Sequence, residues 1–287
     1  MVMTRKYVIA GVCLLMAAAC GAERTQLAPS QEAPGSNGAR SNGGDTGDLF
    51  TAQPQISIVN GDQAATIDIS LPDNIDNLPG PLADEIRKRA NRGTEAFIAT
   101  AQADKAAAAN EGFEFREHSL DVSWVEVGPK SGRLAGFLGT YATYTGGAHP
   151  NVGFDVLNWD REESRVLAFE DLFKDSVNAR QLMADALKKG LLEAKRARLE
   201  GTGFDETEMM SAWVSPAFED NNAVFQGFTI ARSDDESLAG GLVYHFAPYE
   251  VGAYAEGVYK VGVPYTDFAD QLKGSYAEAF GGDPILP

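Results

Sequence analysis

The sequence predicts an α+β fold, with one or more mainly antiparallel sheets, two principal helices packed on them and a short C-terminal helix. Three observations lead there. Short β-branched runs such as ATIDIS, SLDVSWVEV and LVYHF recur along the chain, bounded by turn residues. Two longer segments, Gly80–Ala109 and Ser176–Leu199, repeat apolar residues at three- and four-residue spacing. Their order is strands, helix, several strands, helix, several strands, rather than a strict strand–helix alternation, which favours an antiparallel sheet.

Before the fold comes a leader. Arg5 and Lys6 precede an apolar run that ends in MAAACG, with Cys20 directly after three alanines. A charged start, a short apolar core and a small-residue cleavage site form a secretory signal over residues 1–19. The run falls short of the roughly 20 residues that span a bilayer. A cysteine at that place resembles a lipobox, so Cys20 is the expected lipidation site and the membrane is engaged through acyl chains only. Gly21 rather than an aspartate follows it, which points to the outer membrane facing the periplasm in a two-membrane cell. Residues 20–53 are rich in Gly, Ser, Asn, Ala and Pro and read as a lipidated flexible tether.

Strands QISIV and ATIDISLP follow, then the first helix. Pro81 suits its first turn, and Leu82, Ile86, Ala90, Gly93, Phe97 and Ala101 form one apolar stripe. FEFREHSLDVSWVEVG and GRLAGFLGTYATYTG read as a strand pair around GPKSG, and NVGFDVLNWD as the next strand, with SRVLAFEDLF continuing the β character. Asp175 or Ser176 caps the second helix, and its basic end suits the helix dipole. After the acidic EGTGFDETEMM come strands AVFQGFTIAR, GGLVYHFAPYE and YKVGVP, then a short helix around Tyr265–Leu272. A boundary is placed near residue 128, giving an N-terminal α+β domain over 54–128 and a C-terminal one over 129–287.

Composition narrows the chemistry. Cys13 leaves with the leader and Cys20 carries lipid, so the folded part has no thiol for a disulfide, a nucleophile or a metal. Of 24 basic and 41 acidic residues, cleavage removes Arg5 and Lys6; the remaining 22 against 41 give a net charge of −19. That disfavours nucleic acid and anionic membrane surfaces and suits a cationic partner; solubility alone accounts for it equally well. The three histidines, His118, His149 and His245, lie far apart in sequence without ligand spacing, and no G-x-S-x-G or phosphate-binding loop is present. No cofactor, metal site or catalytic residue is therefore expected.

One motif stands out, YTGGAHP over Tyr144–Pro150. Gly146 and Gly147 permit positive φ in a tight connection. His149 is either a turn-holding residue, a partner contact, or a general base that would need an orienting carboxylate, for which Asp155 and Asp160 are the sequence neighbours. FAPYEVGAYAEG and the residues after it offer the spaced Tyr249, Tyr254 and Tyr259, either as packed rings or as a binding surface. The candidate set is Tyr144, Thr145, Gly146, Gly147, His149, Tyr249 and Tyr254.

YTGGAH, FEDLFKDS and the long stretch from Phe225 to Phe268, with its core F-x-P-Y-E-x-G-x-Y-A-x-G and following V-P-Y strand, together resemble the RsiV-like and PdaC accessory-domain family of extracytoplasmic domains. The resemblance covers nearly all of the chain beyond the tether. It implies a stand-alone envelope lipoprotein that binds a partner, in RsiV-like members lysozyme. Two departures limit what carries over. No sigma-binding segment precedes the leader, and the histidines form no H-x-x-x-H, so neither an anti-sigma role nor deacetylase activity is expected. The expected function is a non-enzymatic binding module for a cationic, lysozyme-like protein; the alternatives are a peptidoglycan-binding accessory protein and a small cell-wall hydrolase using His149.

Overall fold

The structure, a computed structural model, describes residues 56–59, 63–219 and 224–287. The expected leader, the lipidation site Cys20 and the tether lie outside them. Among the described residues no helix is long and apolar enough to cross a membrane.

The architecture is α+β, with two sheets and one long helix. The first sheet has six strands in sequence order: β1 (Ile56–Val59), β2 (Ala65–Ser70), β3 (His118–Glu126), β4 (Leu134–Tyr144), β5 (Asn151–Asp160) and β6 (Arg165–Val166). Every pairing in it is antiparallel except β2–β3, which is parallel. A parallel pair needs a crossover, and the first helical segment supplies it.

That crossover is two helices rather than the single one expected. α1 (Gly80–Ala90) and α2 (Thr94–Glu111) are separated at Gly93, whose φ of +82° ends the helical path. The stripe is therefore split. Leu82 and Ile86 pack with Ile67, Val122, Trp124 and Phe137 in the first core, and Ala101 packs against Ala64 and Ala65.

Two further expectations are corrected. The strand before SLDVSWVE begins only at His118, and SRVLAFEDLF keeps β6 alone before turning into the helical turn α3 (Phe169–Leu172). Asp171 accepts a hydrogen bond from the Ala168 N–H at 2.8 Å and another from Arg165, which fixes that turn. Position 128 lies in the β3–β4 connection, inside the continuous six-stranded sheet.

The long helix α4 (Ser176–Arg198) is capped by Asp175, which accepts from the Val177 and Asn178 N–H groups. The acidic stretch after it folds as α5 (Glu206–Met209), a π turn over Met210–Val214 and a 3₁₀ turn over Ser215–Phe218. The second sheet is β7 (Phe228–Arg232), β8 (Ala239–Phe246) and β9 (Tyr259–Pro264), all antiparallel. Met183, Leu187 and Leu191 of α4 pack on Phe228, Tyr244 and Val261 in a second core. The segment Tyr265–Leu272 forms two 3₁₀ turns, and the α-helical turn comes later, as α6 (Gly274–Ala277).

Asn158 of β5 joins the sheets. It is buried, donates to the Phe228 carbonyl at 2.8 Å and accepts from the Ile230 N–H at 2.9 Å, so its amide continues the hydrogen-bond ladder from one sheet to the other.

Candidate functional site

YTGGAHP is the connection from β4 to β5, with Thr143 paired to Asn151 across it. Gly146 has a φ of +85°, as a tight turn requires. Its far end meets FAPYEVGAYAEG in space. The Tyr254 hydroxyl donates to the Pro150 carbonyl at 2.9 Å. The His149 ring stacks on Tyr254 with centroids 3.6 Å apart and planes 19° apart, and Tyr249 lies 5.7 Å from Tyr254. Together they form an aromatic ledge. His149 is exposed and Tyr249 is 57% exposed, so the ledge faces solvent.

Tyr249 is held in an unusual conformation. Its φ is +73°, a region that costs an ordinary side chain about 1–2 kcal/mol. Its N–H donates to the Gly252 carbonyl at 3.0 Å, which closes the local turn. A bulky, exposed side chain in a strained backbone position is the kind of outlier that marks a presented group.

The ledge rests on a buried ionic cluster. Lys195 of α4 is 0% exposed, and its ammonium donates to the Glu256 carboxylate at 2.5 Å. The Tyr259 hydroxyl donates to the same Glu256 oxygen at 2.6 Å, and the Ala253 N–H donates to the other at 2.8 Å. Burial opposes ionisation of Glu256, but these donors outweigh it and hold the carboxyl below its usual range. Arg198 stacks over the Tyr259 ring and donates to the Glu256 and Val258 carbonyls. Gly252 packs so closely that a Cβ there would lie 2.6 Å from the Lys195 nitrogen.

The remaining candidates fall on the other side of the loop. Arg116 donates weakly to the Gly146 carbonyl, and its hydrogen bond with Tyr144 stabilises the charged guanidinium. Thr145 and Gly146 line a cleft of about 270 Å³ with Asp104, Phe115 and His118. Gly147 faces open space. The structure thus brings His149, Tyr249 and Tyr254 together, and sets Tyr144 to Gly147 apart from them.

Neither proposed carboxylate orients His149. Asp155 is bound by Arg89 at 2.8 Å and Arg92 at 3.5 Å, and Asp160 by Arg133 at 2.8 Å. The other histidines are placed elsewhere. His118 is buried between Phe97 and Phe115. His245 meets the Thr229 hydroxyl at 2.9 Å; burial, with Lys260 adding to it, pushes its pKa to about 3, so it is neutral at physiological pH.

Lys195 and Glu256 are the site residues that sequence reasoning missed, while Tyr259 buries its ring. Lys195 reads there as part of a basic helix end. Its spacing was the available signal, because it continues Leu187 and Leu191 at four-residue steps on the buried face of α4.

Comparison with known proteins places the chain. Residues 58–152 match the profile described as deacetylase PdaC, and residues 170–266 match the protein of unknown function DUF3298. No curated protein matches. Among solved structures, a DUF3298-family protein of Pseudomonas aeruginosa is similar at 16% identity, with 82% of this chain and 99% of that one covered and a TM-score of 0.47. A DUF3298-family member from Bacteroides fragilis is similar at 14% identity, with 71% and 74% covered and a TM-score of 0.46. The globular part of this protein thus carries a PdaC-like region over residues 58–152 and a DUF3298-like region over residues 170–266.

Proposed function

We propose that the protein is a membrane-anchored envelope lipoprotein, lipidated at Cys20, whose globular part is a non-enzymatic binding module for a cationic protein such as lysozyme. The observation that carries this reading is the exposed ledge of Tyr249, Tyr254 and His149. One strand connection of the PdaC-like region and one loop of the DUF3298 region build it jointly. Tyrosine faces attract ammonium and guanidinium groups, at about 0.5–2 kcal/mol each. The acidic excess of the chain favours encounter with the same kind of partner. His149, without an orienting carboxylate, is suited to stacking rather than to proton transfer.

The test is retention of the protein on immobilised lysozyme at low and physiological salt. Tyr254→Ala is expected to weaken binding about tenfold, as loss of a central aromatic contact does. Tyr249→Gly separates presentation from stability. It relieves the positive φ, so the urea midpoint stays level or rises slightly while retention falls. Absence of salt-sensitive retention by the parent protein would sink the lysozyme version.

Aromatic faces also support a second reading, in which the ledge stacks on sugar rings of peptidoglycan. Cosedimentation with purified peptidoglycan, compared between parent and Tyr254→Ala, distinguishes it. A hydrolase using His149 would show turnover on wall fragments that His149→Ala abolishes.

A further inference from the structure

The C-terminal half of α4 has two working sides. Through Lys195 and Arg198 it holds the turn beneath the ledge. Away from these, it faces the segment 204–219 across two hollows of about 540 and 370 Å³. Arg196 lines the smaller hollow, Glu206 lines the larger, and the two side chains are ion-paired, so the hollows adjoin.

Their chemistry is amphipathic. Leu192, Phe204 and Met210 supply apolar lining, and the last two are only half-buried. Glu193, Glu200, Glu206 and Glu219 supply carboxylates. Arg196 is the one cation in either lining, and Glu206 already neutralises it. Glu193 and Glu200 are exposed and make no ion pair among the described residues. Met210 opens the π turn, an irregularity that occurs often at functional sites. An unbranched methionine also adapts to differently shaped apolar side chains.

We infer that this groove docks a cationic amphipathic helix of a partner protein, its apolar stripe on Leu192, Phe204 and Met210 and its Lys and Arg side chains on the flanking glutamates. The choice of occupant follows from charge complementarity: apolar lining with a net acidic rim matches a basic helix and repels an acidic one. It rests on the reading of a cationic protein partner, and gives that partner a contact surface separate from the ledge.

The experiment is fluorescence anisotropy on the full chain with a labelled Lys/Leu amphipathic helical peptide, and with a scrambled peptide of the same composition. The groove variant is Glu193→Gln/Glu200→Gln/Glu219→Gln. A charge-matched control, Glu95→Gln/Glu111→Gln/Glu278→Gln, removes exposed carboxylates outside the groove. The groove variant is expected to bind about tenfold more weakly with a shallower salt dependence, while the control stays within about twofold. Met210→Asp is expected to abolish the preference for the amphipathic over the scrambled peptide, with thermal melts confirming that each variant folds. Equal losses in groove and control variants, or no preference between peptides, would overturn the assignment. Undiminished retention of the groove variant on lysozyme would remove the groove and leave the partner reading intact. Groove-dependent peptide binding without lysozyme retention would do the reverse.

Discussion

Replacing Lys195 by Met is expected to lower the unfolding free energy by about 3–5 kcal/mol, a large part of what a domain has. The ammonium is fully buried and satisfies a carboxylate whose side chain is only 9% exposed. Met fills a similar volume, so packing changes little, but Glu256 then keeps a charge without its counter-ion. Glu256→Gln alone leaves the ammonium in the same position and is expected to cost a comparable amount. The double variant removes both charges and should recover much of the loss, because replacing a whole buried pair is often close to neutral. Urea midpoints of the four proteins measure the cycle. Single losses under about 1 kcal/mol would show that water reaches the pair. On the proposed reading, partner binding should follow, since Tyr254 lies on the turn that Glu256 closes through the Ala253 N–H. Lysozyme retention by Lys195→Met is therefore expected to fall even at a temperature where the variant is folded.

The sequence makes the architecture legible where pattern and packing agree. Alternation in SLDVSWVE and LVYHF, and the Leu187–Leu191 stripe of α4, each mark elements that bury one continuous face. It misleads where a local backbone event interrupts a good pattern. The stripe from Leu82 to Ala101 keeps its spacing through Gly93, yet after the positive φ there only its Phe97 still reaches the first core, and Ala101 joins a separate small cluster. Likewise Phe169 and Leu172 suit a strand or a helical turn, and the Asp171 hydrogen bonds select the turn. The ledge was half legible. Each of its two loops is conspicuous alone, but about a hundred residues separate His149 from Tyr254, and only the tertiary fold stacks them. The cluster beneath it is legible only in the spacing of Lys195 after Leu187 and Leu191, for a different reason. A lysine is assigned to solvent by default, and its burial depends on a glutamate and a tyrosine that arrive from another element.

The other large effect is expected at Asp160, and it has a pH signature at both ends. Asp160 is 0% exposed and accepts two hydrogen bonds from Arg133, one from the Tyr276 hydroxyl at 3.0 Å, and one each from the Glu162 and Glu163 N–H groups. It thereby ties the end of β5 to α6. Burial disfavours its charge, but these donors, Arg133 foremost, hold its carboxyl below the ordinary value. A depressed carboxyl contributes stability that is present above its unfolded pKa and is lost as pH falls through the folded one. The same sign holds for Glu256, Glu170 and Asp171. Stability is therefore expected to decline below about pH 4, where unfolded carboxyls take up protons that the native state refuses. Tyr276 has the opposite sense. Burial, with the Asp160 hydrogen bond and charge adding to it, pushes its pKa to about 12. A raised tyrosine contributes stability that is present below its unfolded value of about 10 and is lost as pH rises towards the folded one. Asp160→Ala should cost about 3 kcal/mol at neutral pH, because it removes the buried partner of Arg133, leaving only the more exposed Glu162 and Glu163 beside it, and takes the acceptor from the Tyr276 hydroxyl. It should also flatten both limbs of the stability–pH curve, the acid limb by removing a depressed carboxyl and the alkaline limb in part, because burial still raises Tyr276 once the Asp160 hydrogen bond and charge are gone. Urea unfolding of parent and variant from pH 3 to 11 measures this. A variant curve parallel to the parent's at every pH would show that Asp160 acts through packing alone.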